Sequence, residues 1–248
     1  MTINHQSDIE ALKLIGAVVA EARDTMGAAV EPGMTTADLD AIGREVLAKH
    51  GARSAPQLAY KFPAATCISV NDEIAHGIPS PKRRLNAGDL VNIDVSAELD
   101  GYWADTGASF AVGRASARDL ELLAVTKQAL HDGMHEARAG NALREIGRAV
   151  EKRAHRSGFH VVRNLCGHGV GRFIHEPPSV PNTKLEGSRQ RLWEGLVITI
   201  EPFLTTSATS YYEADDGWTL RTPDGSRGAQ FEHTLVITSG APLVMTAS

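Results

Sequence analysis

Residues 90–112 read LVNIDVSAELDGYWADTGASFAV, and the Asp100-Gly101 pair at their centre is a strong signal for a tight β-hairpin. With the turn centred there, Leu99 faces Tyr102, Ser96 faces Asp105 and Asp94 faces Gly107. Side chains alternate along a strand, so this register projects Asp94 and Asp105 from one face as diagonal neighbours. Two carboxylates so placed on a mostly apolar ribbon repel, and one takes up a proton unless a cation lies between them. Taken alone the ribbon also admits a solvated face, because Ser96 and Trp103 share that side and mark neither inside nor outside.

The surroundings of the hairpin repeat later in the chain. DLDAIGREV at 38–46 returns as ALREIGRAV at 142–150, with Leu39/Leu143, Ile42/Ile146, Gly43/Gly147, Arg44/Arg148 and Val46/Val150 in register. Asp24 and Met26 recur as Asp132 and Met134, and GDLVNID at 88–94 is echoed by GLVITIE at 195–201. Each helical segment is amphipathic, and each later run passes from Gly through apolar residues to an acid. The order predicts two related halves, about 10–112 and 117–245, each with two helices followed by antiparallel strands. That is an α+β layout in one domain spanning 1–248, since no Pro- or Gly-rich linker separates the halves.

More acids sit where strand patterns leave no room for them. Glu201 ends LVITIEP, with Val197 and Thr199 on its face and Pro202 closing the ladder; Glu232 interrupts QFEHTLVI on one side with Gln230, Thr234 and Val236. An ionised carboxylate removed from water is unfavourable by several kcal/mol unless paired or metal-bound, roughly. A histidine joins them: CGHGVGRFIHEPP places His168 and His175 seven residues apart among Gly167, Gly169 and Gly171. So many glycines exclude a helical HExxH zinc site and let backbone approach a crowded centre. A phosphate loop is the competing reading, but the following Lys-Ser/Thr is missing. His76, in AHGIP, completes the candidates; His5, His50, His131, His135, His155 and His160 sit in polar stretches read as solvated helix.

Composition bounds the rest. A chain of 248 residues with 42% hydrophobic content buries a full core, and a net charge of −5, with no basic run longer than Lys82-Arg83-Arg84, argues against nucleic acid or anionic lipid as partner. MTINHQSDIE is no signal peptide, and no apolar stretch reaches the roughly 20 residues of a membrane span, so a cytoplasmic, monomeric protein is expected. Cys67 and Cys166 are too few for a disulfide framework and read as reduced, small apolar residues.

The motifs CISVNDEIAHGIP, AGDLVNIDV, DGYWADTG, CGHGVGRFIHEPP, ITIEP, DDGWT and QFEHTLVI, in this order, resemble those of the type I methionine aminopeptidases, whose fold is nicknamed pita bread. The resemblance covers almost the whole chain. It implies two pseudo-symmetric halves with helices packed outside antiparallel strands. It implies two divalent cations, with Asp105 and Glu232 bridging, His168 and Glu201 completing one site and Asp94 binding the other. By the same resemblance a hydroxide shared by the metals attacks the first peptide carbonyl, Glu201 shuttles the proton, and His76 and His175 contact the substrate and stabilise the tetrahedral intermediate. Tyr60, Phe62, Cys67 and Trp218 match positions of the family's methionine pocket. One departure concerns Ile174, which stands before the second histidine where relatives commonly carry an aromatic residue.

The oxygen-rich ligand set with one imidazole suits Mn(II), Fe(II) or Co(II) and also Zn(II), and sequence does not choose among them. The substrate implied is the amino terminus of a peptide or nascent chain, with methionine first and a small residue second. The alternatives are a proline-directed aminopeptidase or prolidase of the same fold, a nonspecific aminopeptidase, and a peptide-binding relative without chemistry.

Overall fold

A computed structural model describes residues 1–187 and 189–247. Its helices are α1 (Gln6–Ala29), α2 (Thr36–Lys49), α3 (Ala55–Tyr60), α4 (Ala117–Glu136) and α5 (Arg144–Arg156), and its strands pair antiparallel throughout the named ladders. The expected α+β layout is what these elements build; the short α3 was not foreseen.

Local chemistry sets the helix starts. Thr35 accepts a hydrogen bond from the Asp38 amide while the Asp38 carboxylate accepts from the Thr35 amide, a capping box that opens α2. Ser116 does the same for the Asp119 amide at the start of α4. The echoed glycines have a packing reason. A Cβ on Gly43 would run into Met26 of α1, and one on Gly147 would run into the backbone of Pro181 and Thr183, so in each half the second helix approaches its neighbour through a glycine.

The hairpin forms in the predicted register, with Leu99 opposite Tyr102, Ser96 opposite Asp105 and Asp94 opposite Gly107. Asp100 at φ 51° and Gly101 at φ 82° both occupy the left-handed region that such a turn requires. The Leu90–Leu99 strand is further paired with Cys67–Val70 and Arg53–Ser54. In the second half a five-stranded sheet runs in the order Leu243–Val244, His233–Val236, Val197–Ile200, Cys166–Gly169, Glu176–Pro181. Two three-stranded sheets, one carrying Phe203–Thr205 and the other Glu73–Ala75, complete the scaffold.

The cores cross the midline. Leu12, Ile15 and Met26 of α1 pack with Val91, Ile93 and Val95 of the hairpin and with Val170, Val197 and Val236 of the other half. Leu90 in turn packs with Leu122, Val150, Phe159 and Leu204. Polar bonds cross too: the Glu232 amide donates to the Gly107 carbonyl at 2.8 Å, Thr106 Oγ1 donates to the Glu232 carbonyl at 2.9 Å, and the Asp105 amide donates to Thr234 Oγ1 at 3.0 Å. The second strand of the hairpin is thereby fixed against the 230–234 segment. One reading needs correction: His160 lies on a short strand paired with Thr205, not a helix. Both cysteines are free, Cys67 buried and Cys166 exposed. Among the described residues no helix is long and apolar enough to cross a membrane.

Candidate metal centre and adjoining cavity

Asp94 and Asp105 leave the hairpin face together, as register demands, and both line a cavity of about 360 Å³. Glu201 lies one residue past the Val197–Ile200 strand, and Glu232 lies in the break between Gly228–Gln230 and His233–Val236. His168 is on the Cys166–Gly169 strand. Its Nε2 stands 3.4 Å from Glu201 Oε1 and 3.6 Å from Asp105 Oδ2, and ligand atoms of Asp105, His168 and Glu232 all fall within 4.8 Å of one another.

Burial shapes the electrostatics. Asp105, Glu201 and Glu232 are buried; Asp94 touches the cavity, whose walls leave it poorly solvated. Lost solvation, then the charges of their neighbours, push Asp94, Glu201 and Glu232 well above the ordinary carboxylate range. Burial also raises Asp105 to about 7, although a hydrogen bond from Asp94 pulls it back. His168 is depressed to about 4, chiefly by burial, so it stands neutral with a lone pair to offer. Its Nδ1 is 2.9 Å from the Gly169 carbonyl, which takes the ring proton and leaves Nε2 unprotonated toward the carboxylates.

Supporting hydrogen bonds hold these candidate ligand atoms in place. Thr199 Oγ1 accepts from the His168 amide and donates to Glu201 Oε1, both at 3.1 Å. Gln230 Nε2 donates to Glu232 Oε2 at 2.9 Å, while Asn92 Nδ2 donates to the Gln230 side-chain oxygen at 2.7 Å. Strand parity had put Thr199 beside Glu201 and Gln230 beside Glu232, but their supporting roles went unread. Two buried carboxylate oxygens, Asp105 Oδ1 and Glu232 Oε1, have no hydrogen-bond partner among the described residues. Orphaned carboxyl oxygens, crowded together and pushed up in pKa beside an imidazole lone pair, fit a divalent cation that would let them ionise.

The other predicted residues surround the same cavity. Phe62 and Trp218 meet edge to face at 5.2 Å between ring centroids, with Cys67 in the same apolar cluster. Trp218 is presented by a turn in which Asp216 accepts from the Trp218 and Thr219 amides. His76 sits at φ 55°, a left-handed kink between the Glu73–Ala75 strand and Gly77 that places it on the cavity wall. Burial, then the neighbouring His175 and His168, depress it to about 4. Ile174 is buried in the wall, whereas the adjacent aromatic, Phe173, stays outside and packs on Trp103 at 5.2 Å.

His175 is at the mouth, its ring 4.2 Å from that of His168. Its loop is clamped on both sides. Glu176 accepts from the Arg172 and Phe173 amides at 2.6 and 2.8 Å and pairs with the Met1 ammonium at 2.5 Å. Arg172 stacks over Tyr102 at 3.7 Å and pairs with Asp8 at 3.0 Å. Tyr60, matched by resemblance to a pocket wall, places its hydroxyl 2.6 Å from His175 Nδ1.

Comparison with known proteins agrees with this geometry. The methionine aminopeptidase 2 of Bacillus subtilis is 48% identical over 247 residues, covering 99% of both chains. A crystal structure of a methionine aminopeptidase from Thermotoga maritima superposes with a TM-score of 0.95 at 34% identity, covering 100% of each chain. A prolidase from Pyrococcus furiosus shares the fold at TM-score 0.78 and 22% identity, this chain spanning 66% of its length. Residues 10–239 match the metallopeptidase family M24, and with relatives of this identity and coverage the chain belongs to that family, with its two pseudo-symmetric pita-bread halves.

Proposed function

We propose that this protein removes the amino-terminal methionine from peptides and nascent chains whose second residue is small. The observation that carries the reading is the convergence of Asp105, His168 and Glu232, two of their oxygens unpaired, beside an aromatic-lined cavity. The names of the full-length relatives support methionine as the residue released.

Asp105, Glu232, His168 and Glu201 would hold one divalent cation, and Asp94 with Asp105 and Glu232 a second. Cations held there would supply a water acidified toward neutrality and polarise the scissile carbonyl. The protein's own groups do the rest. Glu201 takes the proton of the attacking water and returns it to the leaving amine. His76 and His175, neutral at working pH, donate hydrogen bonds to the substrate as negative charge develops. Phe62, Cys67 and Trp218 enclose the methionine side chain, and Tyr60 closes the mouth.

An unbranched thioether suits such a pocket, since it fills irregular apolar space against aromatic rings. The reading extends to a monomer acting in the cytoplasm as one catalytic domain over 1–248, with halves about 10–112 and 117–245. Hydrolysis of Met-Ala-Ser, Leu-Ala-Ser, Ala-Ala-Ser and Ala-Pro-Ser by the chelated chain, with Mn(II), Fe(II), Co(II) or Zn(II) added back singly, tests it. Metal-restored release of Met is the expected result. Cleavage of the proline peptide alone would make the protein proline-directed, equal rates on the first three would make it nonspecific, and no turnover with any cation would leave a binding protein.

A further inference from the structure

We propose that Tyr60 is a positioning residue: its hydroxyl donates to His175 Nδ1 and so fixes the imidazole tautomer that carries its proton on Nε2. The inference rests on the reading of His175 as a group that donates to the substrate, and gives Tyr60 a task different from a pocket wall.

The geometry is specific. Tyr60 is the last residue of α3, and Lys61 behind it is left-handed at φ 60°, which ends the helix and turns the chain toward Phe62. The phenol oxygen reaches His175 Nδ1 at 2.6 Å, short for such a pair. Among the described residues this nitrogen is the hydrogen-bond partner of the phenol. The opposite arrangement, with Nδ1–H donating to the phenol oxygen, would leave the phenol proton to solvent and turn a lone pair on Nε2 toward the substrate. Burial and the charge of Asp105 raise the pKa of Tyr60, which keeps the hydroxyl protonated. The ring also packs at 5.5 Å from His175 and 6.4 Å from Phe173, so the phenol is held rather than swinging freely.

The consequence is chemical. A neutral imidazole has one donor and one acceptor nitrogen, and the partner of the first decides the role of the second. With Nδ1 occupied as acceptor, Nε2–H is left to face the peptide as a donor before it binds. Tyr60→Phe removes one oxygen and keeps the ring, so a wall would survive and a tautomer lock would not.

Two measurements on the full-length chain with Zn(II) added decide the matter. Nitrogen-15 NMR of histidine-labelled protein near neutral pH, with His175 assigned by its loss in His175→Gln, should show Nδ1 unprotonated and Nε2 protonated. Tyr60→Phe, its folding checked by thermal melting, should shift both nitrogens toward a mixture of tautomers. On Met-Ala-Ser the same variant should lose about 10- to 100-fold in kcat with KM held within about twofold. A protonated Nδ1 in the parent, nitrogens that do not move in the variant, or a change confined to KM would each overturn the assignment. The NMR result does not depend on turnover, so a chain that cleaves no methionine peptide would sink the proposed function and leave the tautomer question separately answered.

Discussion

The two halves reach the same cavity by different means. In the first, Asp94 and Asp105 stand inside a continuous ladder of two ten-residue strands. In the second, Glu201 and Glu232 stand where four-residue strands stop. A ladder aims side chains by parity alone, whereas a side chain at a ladder break is aimed by whatever holds the break. Here that role falls to Thr199 for Glu201 and to Gln230, backed by Asn92, for Glu232. The first half should therefore tolerate loss of any one supporting hydrogen bond better than the second.

The severest way to break the comparison is to remove the proposed ligand Asp105, which meets residues of both halves. Asp105→Asn should abolish Met-Ala-Ser hydrolysis, by well over about 100-fold given that even outer partners of metal ligands typically matter 10- to 100-fold. Far-ultraviolet circular dichroism should show the fold intact. Substantial residual turnover in a folded protein would refute a bridging role.

Next in size is the pH response of the chelated chain. Asp105, raised by burial from 3.8 to about 7, binds its proton more tightly when folded. The stability linked to that proton is complete below about pH 3.8 and is lost as pH rises through about 7; Asp94, Glu201 and Glu232 act in the same direction. The buried histidines His76, His168 and His175, depressed to about 4, act the other way below about pH 6.5, so the melting temperature in chelator should fall from about pH 7 to about pH 9, where only the carboxyls respond. Added Mn(II) should raise it most at the alkaline end, where the ligands are ionised. A chelated chain that grows more stable over this range, with no gain from any cation, would contradict the cluster's electrostatics.

Thr199→Val tests the second half directly. It leaves the His168 amide without its acceptor and Glu201 without its donor, so roughly 1–3 kcal/mol of stability and about 10- to 100-fold in kcat should be lost. Chemical denaturation and peptide kinetics read the two separately, and an effect below twofold on both would show that the ladder break aims itself. The smallest effect belongs to the hairpin tip: Gly101→Ala, at φ 82°, should cost about 1 kcal/mol and leave kcat unchanged, because the ladder keeps its register without the glycine. A large loss of activity there would mean that the turn, not the ladder, aims the aspartates.

Much of this was legible before any coordinate. The pairing of Asp94 with Asp105 followed from Asp100-Gly101 and the period of two, and the structure has that register. The glycine echo was visible as a pattern, but its cause, a close approach to Met26 in one half and to the Pro181–Thr183 backbone in the other, was not. Glu201 and Glu232 were conspicuous as acids in apolar runs, yet nothing local states that they meet. His160 was misread as helical because a two-residue strand has too few positions to show a period. Tyr60 was found through resemblance as a wall, and its hydroxyl contact escaped because the partner lies 115 residues away.

The sequence by itself determined the elements and their faces: amphipathic helices, a hairpin whose turn chemistry allows one register, and acids at positions that an apolar core does not tolerate unpaired. These are properties of neighbours along the chain, fixed by dihedral preference and side-chain period. Only the tertiary structure decided that ligand atoms of Asp105, His168 and Glu232 come within 4.8 Å, that two of their oxygens find no partner among the described residues, and that a phenol meets an imidazole at the cavity mouth. Those facts depend on how two separately patterned halves dock, which is settled by the fit of cores drawn from both and by the backbone bond from the Glu232 amide to the Gly107 carbonyl.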